Sequence, residues 1–118
     1  MKTVFAVDDL DLNLFIAEAA LREEYNVYTM PSAELMFNHL EKITPDLILL
    51  DIDMPVMNGL EALKKLKSTK WAGIPVIFFS ANENETCKDT GLKLGAVDFI
   101  AKPCPKPLLL SRIKQHIL

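Results

Sequence analysis

The 118-residue sequence has only two cysteines, no long apolar run and no cluster of basic residues. Cys87 and Cys104 lack the spacing of metal ligands and are too few for a disulfide framework, so we expect two reduced thiols. No apolar stretch approaches the roughly 20 residues that span a bilayer, which predicts no membrane insertion. A formal net charge of −3 without a cationic patch argues against direct nucleic-acid binding, because that binding needs basic side chains opposite the phosphates.

A recognisable secretion signal is also missing from the sequence. The amino-terminal segment 1–7 runs directly into Asp8 and Asp9 and lacks the cleavage pattern of a signal peptide. We therefore expect the protein to act in the cytoplasm, either as a stand-alone chain or as a piece of a longer regulator.

Strand-like and helix-like segments alternate along the whole chain. Half of the residues are apolar and a quarter are charged, which suits one packed domain over residues 1–118. Five successive strand–helix units predict an α/β fold in which a parallel sheet carries helices on both faces. Short apolar or β-rich runs place the predicted strands at 3–7, 26–30, 47–50, 75–79 and 97–101.

Apolar spacing and capping residues outline the helices. Ser32 predicts the start of the second helix, and Asn58 with Glu61 predicts a capping box at the start of the third. The segment 84–94 is the weakest helix, because its apolar residues are few and Gly91 costs about 1 kcal/mol relative to alanine. In the first helix, apolar residues recur on one face, which predicts that this face packs on the sheet. That face comprises Leu12, Phe15, Ile16, Ala19 and Ala20.

Polar side chains follow four of the predicted strands. Asp8 and Asp9 follow the first strand and Asp51 follows the third, while Ser80 ends the fourth and Lys102 follows the fifth. Parallel strands bring these side chains to one edge of the sheet, although each alone could be an ordinary cap or turn residue. Converging carboxylates repel one another unless a cation such as Mg²⁺ neutralises them. Together with a hydroxyl and an ammonium group, they are typical of phosphoryl-transfer sites.

Five ordered motifs resemble those of the receiver domain of two-component response regulators, particularly the chemotaxis-regulator-like kind. They are Val7-Asp8-Asp9, the segment from Asp51 to Gly59, Ser80-Ala81, the segment from Gly95 to Phe99, and Lys102-Pro103. The resemblance extends over essentially the whole chain. It implies a flavodoxin-like (βα)5 domain whose five-stranded parallel sheet has the order 2-1-3-4-5.

The resemblance implies a phosphoryl acceptor and a magnesium site. Asp51 would accept a phosphoryl group from a phosphohistidine of a histidine kinase or a histidine phosphotransfer protein. Asp9 and Asp51 would bind Mg²⁺ directly, and Asp8 would act mainly through a metal-bound water. The backbone carbonyl of Asp53 would complete the protein ligands, while its side chain adds negative charge near the site.

The resemblance also implies a switch that follows phosphorylation. Ser80 and Lys102 would bind phosphoryl oxygens, and the peptide bond before Pro103 would be cis. Phe99 would change position as Ser80 moves. The weak helix over 84–94, the fifth strand and the last helix would form the surface that controls a downstream protein or output domain, so the chain is expected to be a regulator and not an enzyme.

Three other functions compete with this interpretation. A degenerate receiver would bind proteins without phosphorylation, but the sequence keeps the whole set of residues at the strand tips. A haloacid-dehalogenase-type phosphatase would use Asp51 and Asp53, but Pro55 replaces the residue typical there and Asp8 and Asp9 would have no role. A flavin carrier is disfavoured because these two aspartates stand where its phosphate loop would lie.

Overall fold

Strands and helices alternate strictly along the chain, as the apolar pattern predicts. A computed structural model describes residues 1–82 and 84–117, and none of the helices in that part has the length and apolar character to cross a membrane. The strands are β1 (Thr3–Val7), β2 (Asn26–Met30), β3 (Leu47–Leu50), β4 (Val76–Ser80) and β5 (Asp98–Ala101). The helices are α1 (Asp11–Leu21), α2 (Ala33–Leu40), α3 (Gly59–Lys67), α4 (Glu85–Leu94) and α5 (Lys106–His116).

The strands form one parallel sheet in the order β2-β1-β3-β4-β5. This order confirms the flavodoxin-like α/β fold predicted from the sequence. The register pairs Val7 with Leu50 and Leu50 with Phe78, so the carboxyl ends of the three central strands lie side by side. All four residues of β3 are buried, which explains why an uninterrupted apolar run encodes this strand.

Successive residues of each strand point to opposite faces of the sheet, and helices cover both faces. On β1, Phe5 packs with residues of α2 and α3, whereas Val4 packs with Leu109 and Ile113 of α5. Ala6 lies beside α1, where its small side chain contacts Leu14 and Ala17 in a separate cluster. The two-sided core therefore holds the strand ends in a fixed register.

The capping residues are those that the sequence predicts. The Ser32 hydroxyl accepts a hydrogen bond from the Leu35 N–H at 3.2 Å at the start of α2. Asn58 and Glu61 form a reciprocal capping box at the start of α3, with bonds of 2.9 and 3.0 Å. Gly95 ends α4 with a φ of 113°, a left-handed conformation that favours glycine.

Helix α1 packs on the sheet mainly with a different face from the one predicted, and of the predicted residues Ala20 packs against the core. Its buried residues are Leu14, Ala17 and Leu21, which have helical spacing of their own. Where the chain leaves β1, the Asp8 carboxylate accepts a hydrogen bond from the Leu10 N–H at 3.0 Å. The larger apolar side chains of the helix face outward, with exposed fractions of 68% for Leu12, 71% for Phe15 and 53% for Ile16.

Candidate functional site

Three carboxylates converge at the carboxyl ends of β1 and β3. One oxygen from each of Asp8, Asp9 and Asp51 lies within 4.8 Å of the others. The sheet positions them directly, because the Asp51 N–H donates to the Val7 carbonyl at 2.9 Å and continues the pairing of the two strands. Asp8 and Asp51 are buried, with exposed fractions of 4% and 7%, whereas Asp9 is half-buried.

This cluster has the donor chemistry of a magnesium site. Carboxylate oxygens are the ligands that Mg²⁺ prefers, and the cation would relieve the repulsion among the three negative charges. The half-buried Asp9 leaves one side of the cluster open to water, which Mg²⁺ retains in most protein sites. The residues present therefore fit the cation that the sequence predicts.

Lys102 lies against the same cluster. Its Nζ donates to Asp8 Oδ2 and lies 5.1 Å from the centroid of the Phe79 ring, and only 13% of its side chain is exposed. The Lys102 N–H donates to the Ser80 carbonyl at 3.0 Å, which continues the pairing between β4 and β5. The peptide bond between Lys102 and Pro103 is cis. The ammonium group of Lys102, which follows β5, thus contacts the carboxylate of Asp8, which follows β1.

The electrostatic environment of Asp51 disfavours its charged form. Burial raises the pKa of Asp51 above its ordinary value, and the Asp8 carboxylate acts in the same direction. The Lys102 ammonium, the Ser80 hydroxyl and the Ile52 N–H, which donates to Asp51 Oδ1 at 2.9 Å, lower the pKa but do not cancel the rise. A bound cation would favour the charged form of this carboxylate.

The segment from Asp51 to Gly59 holds the acceptor in place. The Gly59 N–H donates to the Ile52 carbonyl at 2.7 Å, which brings the start of α3 against the end of β3. A Cβ at Gly59 would lie 2.2 Å from the Asp51 carbonyl oxygen, so this approach requires glycine. Within the turn, Val56 has a φ of 69° and a fully exposed side chain, an unusual conformation for a β-branched residue.

The remaining predicted site residues lie in β4, in β5 and in the turn that follows β3. Ser80 is 1% exposed, and its Oγ accepts a hydrogen bond from the Asn82 N–H at 3.1 Å. Phe99 is half-buried and its ring lies 6.4 Å from that of Phe78, at an angle of 50°. The exposed side chain of Asp53 faces Asn82, whose Nδ2 donates to Asp53 Oδ1 at 3.4 Å.

Two features of this edge were missed by the sequence reasoning. The first is Asn82, which bonds both Ser80 and Asp53. A signal was available, because asparagine two residues before Asn84 at the end of a strand is typical of side-chain-to-backbone turns and helix caps. The second is the pairing of Lys102 with Asp8 in place of a free ammonium, which depends on the path of a loop and leaves no trace in sequence spacing.

Comparison with known proteins shows what this chain is similar to. The model of the response regulator receiver domain matches residues 4–114. A probable cyclic di-GMP phosphodiesterase of Vibrio cholerae is 35% identical over 116 residues, which are 98% of this chain and 26% of that protein. The response regulator PleD of Caulobacter vibrioides is 34% identical over 113 residues, 94% of this chain and 25% of that protein. The chain thus spans about a quarter of the length of these relatives.

Solved structures agree with the fold. The chemotaxis protein CheY4 of Vibrio cholerae superposes with a TM-score of 0.92 at 25% identity, covering 99% of each chain. The receiver domain of the sensor histidine kinase PA1611 of Pseudomonas aeruginosa has a TM-score of 0.89 at 25% identity, covers 98% of this chain and 97% of its own, and has a magnesium ion coordinated in its active-site cleft. The chain belongs to the response regulator receiver domain family of two-component systems.

Proposed function

We propose that this protein is a phosphorylation-activated switch that accepts a phosphoryl group on Asp51. The observation that carries the proposal is the convergence of Asp8, Asp9 and Asp51, with Lys102 against Asp8. Asp51 stands at the centre of this group at the tip of β3, and the match over residues 4–114 supports treating residues 1–118 as one receiver unit.

The reaction is a transfer between a histidine nitrogen and a carboxylate oxygen. A carboxylate oxygen of Asp51 attacks the phosphorus of a phosphohistidine, an O–P bond forms, and the P–N bond breaks with its electron pair left on the imidazole. Lys102, now paired with Asp8, and the buried Ser80 would donate hydrogen bonds to the phosphoryl oxygens. Their contribution is positioning and charge neutralisation, which account for most of the catalysis in phosphoryl transfer.

Mg²⁺ is the proposed cofactor. Asp9 and Asp51 would hold it directly, Asp8 would hold it through water, and the Asp53 carbonyl would complete the protein ligands. When bound, the cation neutralises charge on the acceptor and on the phosphoryl oxygens. Lys102 must then leave Asp8, so the same movement that clears the metal site frees its ammonium for the phosphoryl group.

The proposed phosphodonor is a histidine kinase or a histidine phosphotransfer protein in the cytoplasm. Its phosphohistidine has to reach Asp51, so the donor must contact the rim of the site. Exposed apolar side chains follow the site along the chain, since Leu10, directly after Asp9, is 58% exposed and Phe15 of α1 is 71% exposed. Apolar patches of this kind are typical of protein interfaces.

The proposed output surface comprises α4, β5 and α5. Ser80 would move towards the phosphoryl group, and Phe99 would shift with it because the two residues lie on neighbouring strands. Gly91 is the one buried residue of helix α4, so the helix can respond at low energetic cost. A downstream protein or output domain would read the change on this surface.

The decisive experiment is phosphorylation by a small phosphodonor. Wild-type protein incubated with acetyl phosphate and Mg²⁺ should gain the mass of one phosphoryl group, and chelation of Mg²⁺ should abolish the gain. Asp51→Asn should remain unmodified. Asp89→Asn removes an exposed carboxylate of α4 and serves as the matched control, which should be modified like the wild type.

Each alternative function has its own outcome in this assay or in a parallel assay with a phosphomonoester. A folded wild-type protein that gains no mass would identify a receiver that binds partners without phosphorylation. Continuous hydrolysis of a phosphomonoester would identify a phosphatase, whereas a single modification per chain supports the switch. Modification of the Asp51→Asn variant would place the acceptor on another residue.

A further inference from the structure

We propose that Asn82 couples the phosphorylation site to helix α4 through a chain of hydrogen bonds. The proposal rests on the proposed phosphorylation of Asp51. It makes Asn82 a positioning residue that links Ser80, at the end of β4, to Asn84, the residue that caps α4. None of the receiver motifs in the sequence includes Asn82.

On the side of the site, Asn82 contacts the two segments that flank the acceptor. Its N–H donates to Ser80 Oγ at 3.1 Å. Its side-chain Nδ2 donates to Asp53 Oδ1 at 3.4 Å, across the gap between the turn after β3 and the turn after β4. A change at Asp51 therefore reaches Asn82 by two routes, one through a buried hydroxyl and one through a carboxylate.

On the side of the helix, the same asparagine holds the cap. Asn82 Oδ1 accepts a hydrogen bond from the Asn84 N–H at 2.9 Å. Asn84 Oδ1 in turn accepts from the N–H groups of Thr86 and Cys87, at 2.9 and 3.2 Å. These two donors belong to the first turn of α4 and have no partner within the helix. The position of the first turn is thus tied to Asn82 by two successive bonds.

Helix α4 has little else to fix its amino-terminal end. Its only buried residue is Gly91, in the second half of the helix, where Leu60 and Phe78 lie close by. Cys87 and Leu94 are partly buried against the core. Cys87 is the one apolar side chain of the first turn that packs against the core, and Asn82 Nδ2 also contacts its Sγ at 3.9 Å. The position of this turn therefore depends on the cap more strongly than in a well-packed helix.

Phosphorylation would act on Asn82 from both sides of the site. The aspartyl phosphate formed at Asp51 carries about −1.5 to −2 units of charge where the free carboxylate carried −1, and it adds several acceptor oxygens. The Ser80 hydroxyl is drawn towards those oxygens, while the Asp53 carboxylate is repelled by the added charge. Both movements change the contacts of Asn82, and the bond to Asn84 passes the change to the first turn of α4.

Amide hydrogen exchange of α4 tests this coupling. In wild-type protein, phosphorylation with acetyl phosphate and Mg²⁺ should change the exchange rates of segment 86–88 by about threefold or more. In Asn82→Ala, the mass gain should be retained. Segment 86–88 should exchange several-fold faster before phosphorylation and respond by less than about half the wild-type factor afterwards. Asn38→Ala, which truncates an exposed asparagine of α2, should behave like the wild type.

Exchanging the hydrogen-bond donor and acceptor between Asp53 and Asn82 distinguishes coupling from a merely structural role of Asn82. Asn82→Asp keeps an acceptor for the Asn84 N–H but opposes the Asp53 carboxylate, so the response of α4 should be weakened. The double variant Asp53→Asn/Asn82→Asp restores one donor and one acceptor with the net charge unchanged, and the response should return.

The outcomes distinguish failure of the coupling from failure of the proposed function. A wild-type chain that gains no mass would overturn the phosphorylation of Asp51 and the coupling with it. A normal mass gain in Asn82→Ala, together with the full wild-type response of α4, would overturn the coupling alone. A double variant that responds no better than Asn82→Asp would likewise exclude the Asp53 contact from the route.

Discussion

Lys102 and Asp8 form an ion pair across the tips of β1 and β5, and both side chains are largely buried. The ammonium group occupies an oxygen of the carboxylate cluster, where a metal ion would otherwise be drawn. The pair therefore neutralises part of the acidic cluster in the resting protein, and it opposes the binding of a cation.

The first prediction concerns this competition. Lys102→Met keeps the aliphatic stem but removes the charge, so the affinity for Mg²⁺ should rise by about tenfold, as expected for one unit charge a few ångströms away in a partly screened site. Titration calorimetry with MgCl₂ measures the change. Lys106→Met removes an exposed charge at the start of α5 and should have little effect. Equal or weaker binding in Lys102→Met would show that Lys102 does not compete with the metal.

The second prediction concerns the pH dependence of stability. Burial alone would raise the pKa of Asp98, but hydrogen bonds from Arg112, His116 and the Phe99 N–H outweigh it and hold the pKa below its ordinary value. The unfolded chain therefore binds this proton more tightly than the folded chain. The carboxylate stabilises the fold above its ordinary pKa of about 4, and this contribution is lost as the pH falls further.

Asp98→Asn removes that contribution. At neutral pH the variant should lose about 1–2 kcal/mol of unfolding free energy, because Arg112 loses a bidentate partner. Below pH 4 its stability should approach that of the wild type. Urea unfolding at a series of pH values, with Asp89→Asn as the exposed control, provides the measurement. Parallel pH profiles for wild type and Asp98→Asn would contradict the depressed pKa.

The third prediction concerns the packing of α4. A Cβ at Gly91 would lie 2.6 Å from Cε2 of the Phe78 ring, which is fully buried. Gly91→Ala should therefore destabilise the protein by about 1–3 kcal/mol, although alanine favours helix by about 1 kcal/mol. Thr90→Ala, an exposed neighbour on the same helix, should be neutral or slightly stabilising. A more stable Gly91→Ala variant would mean that the ring moves aside freely.

The fourth prediction tests the orientation of α1. Leu14 is 8% exposed and Phe15 is 71% exposed. Leu14→Ala should cost about 2–4 kcal/mol of unfolding free energy, whereas Phe15→Ser should change it by no more than about 0.5 kcal/mol. If Phe15 also contacts the phosphodonor, transfer from the kinase should slow while modification by acetyl phosphate does not. Reversed stability effects would restore the face predicted from the sequence.

The fifth prediction concerns the turn after β3. Val56 adopts a left-handed conformation that costs an L-residue about 1–2 kcal/mol, and its exposed side chain offers no packing in return. Val56→Asn should stabilise the protein by about 1 kcal/mol, because asparagine tolerates this conformation. Val97→Asn replaces another exposed valine, one with an ordinary negative φ, and should give no such gain. Equal effects in urea unfolding would refute the strain.

The sheet and the convergence of the carboxylates could be predicted because the sequence features that encode them are local or follow from the sheet topology. The apolar run that ends at Asp51 defines a central strand, and the rule that parallel strands share a carboxyl edge then brings Asp8 and Ser80 to the same place. The capping box of Asn58 and Glu61 was legible for the same reason, since both partners lie within one turn of helix. Each of these features depends on residues that are close in sequence or on topology alone.

The orientation of α1 was not predictable, because the helix carries two apolar stripes. Leu14 and Leu21 lie on one stripe and Leu12 and Phe15 on the other, and both have helical spacing. The choice depends on the path between β1 and the helix, where the Asp8 carboxylate bonds the Leu10 N–H. The larger side chains face outward, against the usual tendency of apolar residues, so a hydrophobicity pattern alone selects the wrong face.

Helix α4 packs on the body of the protein through Gly91 and the partly buried Cys87 and Leu94, and it carries no fully buried side chain. Its exposed residues can therefore be replaced without creating a cavity or overpacking the core. If α4 belongs to the output surface as proposed, a receiver for a different downstream protein could be engineered. The outer positions of this helix would be replaced while Gly91 and the cap at Asn84 are left unchanged. The choice of downstream protein could then be changed without altering the proposed phosphorylation site.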